Sequence, residues 1–133
     1  MDENLSNVEV HDPLLECLVL LSKYYQKPIS GEALQAGLPL VNNRLTPRLF
    51  VRAAERAGLM ARIVKRPLPQ ISKLLLPVVL LLKDNQVCIL QNIYDNKTVE
   101  VISPESGGGS SKKTIAELEA VYSGYAIFIQ PLK

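Results

Sequence analysis

The side chains best suited to nucleophilic chemistry are two cysteines, Cys17 and Cys88, and the single histidine of the 133-residue chain, His11. A cysteine peptidase requires a thiolate, an imidazole within hydrogen-bond reach and a group that orients the imidazole. His11 precedes the predicted first helix, so it would have to meet Cys17 around the start of that helix. Because both cysteines lie in apolar stretches, we expect them to be buried core residues and His11 to lie in an exposed loop. The alternative to buried, unreactive cysteines is an active cysteine peptidase that uses Cys17.

Two other kinds of site lack the residue spacing that they require. One histidine and no paired cysteines leave no set of metal ligands. The segment Gly107–Thr114 approaches a phosphate-binding loop, but Lys112 occupies the position where such a loop needs its second glycine to turn closely around phosphate. We therefore predict no metal and no cofactor, and a flexible loop over residues 106–112.

A row of arginines is the third chemical feature. Arg48, Arg52 and Arg56 recur every four residues, with Arg44 just upstream, which places them along one face of a predicted helix. A row of like charges on a helix is most often a face exposed to solvent with no specific partner. The alternative hypothesis is that these arginines attract an acidic partner. Nucleic acid is the weaker candidate, because no stacking aromatic residues lie among them and no nucleic-acid-binding motif is present.

A pair of tyrosines, Tyr24 and Tyr25, ends the predicted first helix. Aromatic residues are enriched at interfaces, so the pair is a second candidate surface for holding a peptide. Adjacent helical positions point in different directions, and we expect one of the two rings to lie in the core.

Composition predicts a single domain over residues 1–133, with 47% hydrophobic residues. Residues 1–10 form an acidic tail that lacks the basic and apolar regions of a secretory signal. The longest apolar run, Leu74–Leu82, contains Pro77 and is shorter than the roughly 20 residues that span a bilayer. The net charge is +2 but uneven, since residues 44–73 hold eight basic residues against one acid. This block predicts a basic face.

Three helices are predicted in the first half of the chain. Asp12 is a suitable N-cap, and Pro13 suits the first helical position because its missing N–H needs no partner there. Ser30 predicts a short second helix that ends at Gly37, and Thr46 followed by proline predicts a third helix that runs to Gly58.

The second half of the chain is predicted to be mainly strands. Asp84-Asn85 predicts a tight turn between two antiparallel strands, and Thr114 with Glu117 forms a capping box that opens a helix to about Tyr122. Helices followed by an antiparallel sheet make an α+β fold. The predicted strands are Met60–Lys65, Val78–Lys83, Gln86–Ile93, Thr98–Ile102 and Tyr125–Ile129.

Several short segments resemble one known family. Asp12, followed by Cys17-Leu18, is similar to the Asp-Cys-Gly-x-x-Cys-Leu start of the peptidase domain of bacteriocin-processing exporters, family thirty-nine of the cysteine peptidases. The resemblance covers about Val8–Gln130 and implies a papain-like cysteine-peptidase fold, with N-terminal helices packed on an antiparallel sheet. It extends to the N-terminal peptidase-like domain of type I secretion ABC transporters, particularly those that export large RTX adhesins. The other similar segments are Leu38-Pro-Leu, Leu76-Pro-Val before the Lys-Asp-Asn-Gln turn, and Tyr122-Ser-Gly-Tyr-Ala.

In the register of this resemblance, the catalytic positions of the family carry other residues. Pro13 stands at the position of the nucleophilic cysteine, Gln86 at that of the histidine, and Ser103 at that of the aspartate that orients the histidine. Asn7 stands near the position of the oxyanion glutamine. Because proline cannot attack a carbonyl, the resemblance implies a degenerate domain that is not an enzyme.

The resemblance further implies a partner and a location. The partner is an unfolded, secreted RTX-type protein, which is rich in aspartate and anionic before it binds calcium. Three surfaces could bind it: the arginines Arg48, Arg52 and Arg56, the pair Tyr24 and Tyr25, or the former catalytic cleft. An alternative role is an intramolecular regulator that contacts the membrane or ATPase domain of the same transporter. Those domains would lie outside this chain, and the peptidase-like domain would lie at the cytoplasmic face of the bacterial inner membrane.

Overall fold

The computed structural model describes residues 12–95, 97–104 and 108–132. Within this part of the chain, three helices precede a sheet of six antiparallel strands, and a fourth helix links the last two strands. None of these helices is long and apolar enough to cross a membrane. The elements are α1 Pro13–Tyr24, α2 Gly31–Gln35, α3 Pro47–Arg56, β1 Leu59–Lys65, β2 Val78–Leu82, β3 Val87–Ile93, β4 Thr98–Ile102, β5 Ser110–Thr114, α4 Ile115–Val121 and β6 Tyr122–Pro131, with 3-10 turns at Leu68–Gln70, Lys73–Leu75 and Lys83–Asn85.

The predicted helix starts are confirmed by their caps. The side chains of Asp12, Ser30 and Thr46 each accept a hydrogen bond from the backbone N–H three residues further on, at 3.2, 3.1 and 3.2 Å. Each bond satisfies one of the backbone donors that an α-helix leaves without a partner in its first turn. Prolines at the start of α1 and α3 cost no hydrogen bond there, as the sequence predicts.

The sheet has the strand order β1-β6-β2-β3-β4-β5. The last strand of the chain therefore lies between β1 and β2, and Ile127 pairs with both Ile63 and Val79. The predicted hairpin between β2 and β3 is confirmed, because Asp84 and Asn85 both take left-handed conformations with φ of 60° and 59°. Asp and Asn adopt this region more readily than other side chains, which is why the pair makes a tight turn.

Both faces of the sheet are covered, which explains the continuous apolar sequence of β2. Successive residues of a strand point to opposite faces. Val79 therefore packs with α1, α2 and α3 around the fully buried Phe50. Leu80 faces the other side, where it packs with Leu118 of α4 and with the 3-10 turns. The structure is an α+β, papain-like fold whose N-terminal helices pack on an antiparallel sheet, as predicted.

The predicted flexible loop over 106–112 is wrong in its second half. Residues 106 and 107 lie outside the described part of the chain, but Ser110–Thr114 forms β5 and pairs with β4. Glu100 in β4 helps to fix this edge, since it accepts hydrogen bonds from Tyr94 Oη at 2.6 Å and Ser110 Oγ at 2.7 Å, and both bonds lower its pKa. All five residues of β5 are exposed, so the strand has no hydrophobic alternation that the sequence could reveal.

Candidate functional site

A cleft of ≈ 500 Å³ lies where the start of α1 meets two turns of the chain. One wall is the first turn of α1, with Asp12 and Pro13. The second wall is the segment 41–47, which leads into α3, and the third is the turn between β2 and β3, with Asn85 and Gln86. Its volume lies in the range of ordinary ligand pockets.

Asp12 holds two walls of the cleft together. The residue is only 5% exposed, and its two carboxylate oxygens accept hydrogen bonds from different segments. Oδ1 accepts from Leu15 N–H in α1 at 3.2 Å, and Oδ2 accepts from the buried Leu45 N–H at 2.8 Å. The sequence predicts the first bond, because N-caps are local, but not the second, which joins residues 33 positions apart. Asp12 therefore fixes the segment 41–47 against the start of α1.

The segment 41–47 begins with a tight turn that the sequence analysis did not identify. Val41 and Arg44 exchange backbone hydrogen bonds of 3.1 and 3.0 Å. Asn42 and Asn43 between them have φ of 53° and 63°, which is the left-handed region that a two-residue hairpin turn requires. The Asn-Asn dipeptide is the sequence signal that identifies such a turn. It places the exposed side chain of Arg44 at the edge of the cleft.

The structure brings Pro13 and Gln86 into the same cleft. Pro13 is buried in the first turn of α1, whereas Gln86 is exposed at the end of the hairpin turn. The Gln86 carbonyl accepts from Leu82 N–H at 2.8 Å, and its side-chain amide makes a long 3.4 Å bond to the Asp84 carbonyl. These are the two positions that the sequence resemblance assigns to the nucleophile and the imidazole of a peptidase. Neither side chain is a nucleophile or a general base.

The other predicted catalytic positions are not found in the cleft. Ser103 is half-buried beyond the end of β4 and is not among the described residues that line the cleft. Asn7, the predicted oxyanion position, and His11, the single histidine, both lie outside the residues that the structure describes.

Both cysteines lie in the interior of the domain, as the sequence predicts. Cys17 is 0% exposed and belongs to the core between the helices and the sheet. Cys88 in β3 is also buried, but it faces the opposite side of the sheet. Neither cysteine is among the residues that line the cleft.

Arg56 is placed differently from the other arginines of α3. Its Nη1 atom donates hydrogen bonds to the carbonyls of Ala33, Leu34 and Ala36 at the end of α2. The last carbonyls of a helix have no partner within the helix, and a cation is favoured there by the helix dipole. Arg56 thus ties α2 to α3, a role that the four-residue spacing did not predict.

The rest of the arginine row leads from the cleft along α3. Arg44 and Pro47 line the cleft, and Arg48 and Arg52 follow on the exposed face of the helix. No hydrogen bond to either of these two guanidinium groups is seen in the described part of the chain. The cleft and Arg48 and Arg52 therefore form adjacent parts of one surface.

The tyrosine pair lies at the opposite end of α1. Tyr24 is 59% exposed, whereas Tyr25 packs against the helix side of the core and its hydroxyl donates a long 3.5 Å bond to the Ile129 carbonyl. The two rings meet edge to face at 5.0 Å, and burial together with the nearby Tyr24 raises the pKa of Tyr25. The expectation that one ring packs on the core is confirmed. At 1.5 Å of rise per residue, Tyr24 is about 17 Å along the helix from Pro13, so the pair is a separate surface.

A family model and a solved structure identify the family of this chain. The model of the Peptidase C39 family matches residues 3–133. The N-terminal peptidase C39 like domain of the toxin secretion ATP-binding protein from Vibrio parahaemolyticus is 40% identical, with a TM-score of 0.87 over 91% of this chain and 98% of that one. A comparison with curated proteins found no match.

Two more distant structures share the fold. One is a double glycine motif protease from an AMS/PCAT transporter, solved with its leader peptide, at 18% identity and a TM-score of 0.74 over 90% of this chain and 84% of that one. The other is the peptidase domain of Streptococcus ComA, a bifunctional ABC transporter, at 17% identity and a TM-score of 0.76 over 90% and 91%. Because the family model spans nearly the whole sequence and the Vibrio domain is similar along its full length, this chain belongs to the peptidase C39 family.

Proposed function

We propose that this chain is a catalytically inactive, peptidase-like domain of a type I secretion ABC transporter. It binds an unfolded RTX-type protein before export, at the cytoplasmic face of the bacterial inner membrane. The observation that carries the proposal is the set of residues that line the cleft. The positions that the resemblance assigns to the nucleophile and the imidazole are occupied by Pro13 and Gln86. The similarity to a domain of a toxin secretion ATP-binding protein supports the assignment to an export system.

The chemistry of the cleft supports a domain that does not cleave its substrate. Pro13 has no side-chain atom that can attack a carbonyl, and the amide of Gln86 cannot take a proton as an imidazole does. Cys17 is 0% exposed and points into the core, where a peptide bond cannot reach its sulfur. A cleft of ≈ 500 Å³ still offers room for a segment of extended polypeptide.

Electrostatic attraction supports binding of an acidic, unfolded chain. Arg44 lies at the edge of the cleft, and Arg48 and Arg52 continue its positive charge along α3. Exposed charges each contribute little in water, so the affinity would come from many weak contacts along the disordered substrate. Such binding weakens as salt increases, because the charges are screened.

A titration of the isotope-labelled chain with an unfolded, calcium-free RTX segment tests this function. We expect chemical-shift changes at Asn42, Arg44 and Gln86 and along the first turns of α3, larger at low than at moderate salt. A control segment in which every aspartate is replaced by asparagine should shift the same resonances less, since it has the same length without the charge. An absence of shifts at both salt concentrations would contradict the binding function.

A second candidate function is favoured by the exposed Tyr24 ring, which lies about 17 Å along α1 from the cleft. Exposed aromatic residues are enriched at protein interfaces. In this candidate the domain regulates the transporter by contacting its ATPase or membrane domain and never contacts the substrate. Binding of the purified ATPase domain that is lost in Tyr24→Ala, together with no binding of the RTX segment, would favour it.

The third candidate is an active peptidase that uses Cys17. A thiol-reactive peptide probe distinguishes it, because it labels only an accessible thiolate. We expect the folded chain to stay unlabelled and the chain unfolded in urea to be labelled at both cysteines. Labelling of Cys17 in the folded chain would support the peptidase.

A further inference from the structure

A second positively charged surface lies on the opposite side of the sheet from the cleft and α3. It consists of Met60 and Arg62 in β1, Arg66 just after β1, and Lys73 and Leu74 in a 3-10 turn. We call these five residues the basic-apolar patch. The function proposed above uses none of them.

The apolar part of the patch protrudes from the surface. Leu74 is 93% exposed, and a serine side chain holds its turn in place, since Ser72 Oγ accepts from Leu74 N–H at 3.1 Å. Met60 is also exposed, and it lines a shallow depression of ≈ 80 Å³ together with Leu75 and Phe128. A large aliphatic side chain held this far out in water loses the stabilisation that burial would give it.

The charged part of the patch carries a single sign of charge. The guanidinium carbons of Arg62 and Arg66 lie 5.9 and 5.1 Å from the centroid of the Phe128 ring, so both cations are fixed over one face of the sheet. Residues 59–83 contain five basic residues and no aspartate or glutamate, and β6 contains no acid either. The five are Arg62, Lys65, Arg66, Lys73 and Lys83.

We propose that the basic-apolar patch contacts a membrane surface that contains anionic lipids. Leu74 inserts below the headgroups, and Arg62, Arg66 and Lys73 bind the phosphates. The arrangement matches two requirements of interfacial binding, which are exposed apolar side chains and basic residues near them, and the segment 59–83 that carries all five patch residues contains no acid. The depression that Met60, Arg62 and Leu75 line measures only ≈ 80 Å³, which favours a flat surface over the side chain of a protein partner as the occupant.

Co-sedimentation of the chain with lipid vesicles tests the proposal. We expect the chain to bind vesicles that contain phosphatidylglycerol, to bind phosphatidylcholine vesicles much less, and to dissociate as salt is raised. Lys73→Glu should weaken binding at least about fivefold, since one basic residue near an anionic surface contributes about that factor. Leu74→Ser should weaken it about tenfold, because the inserted side chain is lost.

Lys65→Glu is the matched control for charge. Lys65 lies on β1, as Met60 and Arg62 do, and its substitution changes the net charge by the same amount as Lys73→Glu. It follows Val64, which faces the side of the patch, so the Lys65 side chain points to the opposite, helix side of the sheet. Its binding should stay within about twofold of the native chain. Equal loss in Lys65→Glu and Lys73→Glu would overturn the assignment to the patch.

A fluorescence measurement tests insertion itself. The chain has no tryptophan, so Leu74→Trp creates a single reporter at a position where exposure leaves the fold undisturbed. We expect its emission to shift to the blue when phosphatidylglycerol vesicles are added. An unshifted emission, or no sedimentation with anionic vesicles at low salt, would overturn the proposal. Binding of an acidic peptide without binding of vesicles would also overturn it and would assign the patch to a protein partner.

Discussion

The cleft at the start of α1 and the exposed face of α3 share a border at Pro47, but they are built differently. The walls of the cleft are joined by a buried carboxylate, since Asp12 accepts hydrogen bonds from α1 and from Leu45. On α3, Arg48 and Arg52 make no such bonds in the described part of the chain. The difference shows that Asp12 joins two walls of the cleft, whereas the charges on α3 lie on a surface that the hydrogen bonds of the described residues do not tie down.

The largest effect that we predict concerns the buried carboxylate. Asp12→Ala removes the N-cap of α1 and leaves the Leu45 N–H buried without its partner. A lost cap costs about 1 kcal/mol and a buried bond to a charged group about 1.5–3 kcal/mol, so the free energy of unfolding should fall by about 2.5–4 kcal/mol. Urea unfolding measures this change.

Ser30→Ala is the matched control for the lost cap. Ser30 caps α2 by the same kind of bond, but it is exposed, and within residues 12–95, 97–104 and 108–132 its side chain bonds to no second segment. Its loss should cost about 1 kcal/mol or less. Equal costs for the two substitutions would show that the bond to Leu45 does not stabilise the cleft.

Arg56 should behave as a structural residue although it belongs to the arginine row. Arg56→Ala removes the guanidinium group that binds the last carbonyls of α2, and we expect a loss of about 1–2 kcal/mol in the free energy of unfolding. Arg52→Ala on the same helix should change it by less than about 0.5 kcal/mol, since that side chain is exposed. A larger loss in Arg52→Ala than in Arg56→Ala would contradict this assignment.

Charge reversal on α3 should alter binding but not stability. In the double variant Arg48→Glu and Arg52→Glu, we expect the affinity for the RTX segment to fall about tenfold and its salt dependence to flatten. The variant Lys65→Glu with Lys113→Glu changes the net charge equally at exposed positions on β1 and β5. Fluorescence anisotropy of the labelled segment measures both. If the control lost as much affinity, net charge rather than the α3 surface would be responsible.

The smallest effect is expected at the exposed edge of the cleft. Gln86→His places an imidazole opposite Pro13. Because the one side-chain bond of Gln86 seen among the described residues is long, stability should change by less than about 0.5 kcal/mol. The RTX segment should still remain uncleaved, because the imidazole has no thiol in the cleft to activate. Cleavage that appears in this variant would mean that a nucleophile reaches the cleft.

Local features of the sequence predict most of the fold. Helix starts followed from a capping side chain, which a proline or a capping box supports at three of the four helices. The β2–β3 hairpin followed from Asp84-Asn85, and each of these signals acts within a few residues. The apolar strand β2 followed from its run of Val and Leu. Strand β5 did not, because its residues are all exposed and only its pairing with β4 makes it a strand.

The candidate site was predicted less completely, and the reason is again distance along the chain. The resemblance to a peptidase family placed Pro13 and Gln86 together, and the structure brings them into one cleft. The contacts that position the cleft and the helices join residues far apart in sequence. Examples are the hydrogen bonds of Asp12 with Leu45 and of Arg56 with the end of α2. No spacing rule connects such positions.

Intact-mass analysis of the substrate tests the central claim, which is binding without cleavage. The native chain is incubated with a calcium-free RTX segment at a concentration where anisotropy shows the segment to be bound. We predict that the segment keeps its full mass while bound. A shortened product that appears with the native chain and disappears with Cys17→Ala would contradict the claim and make this domain a peptidase.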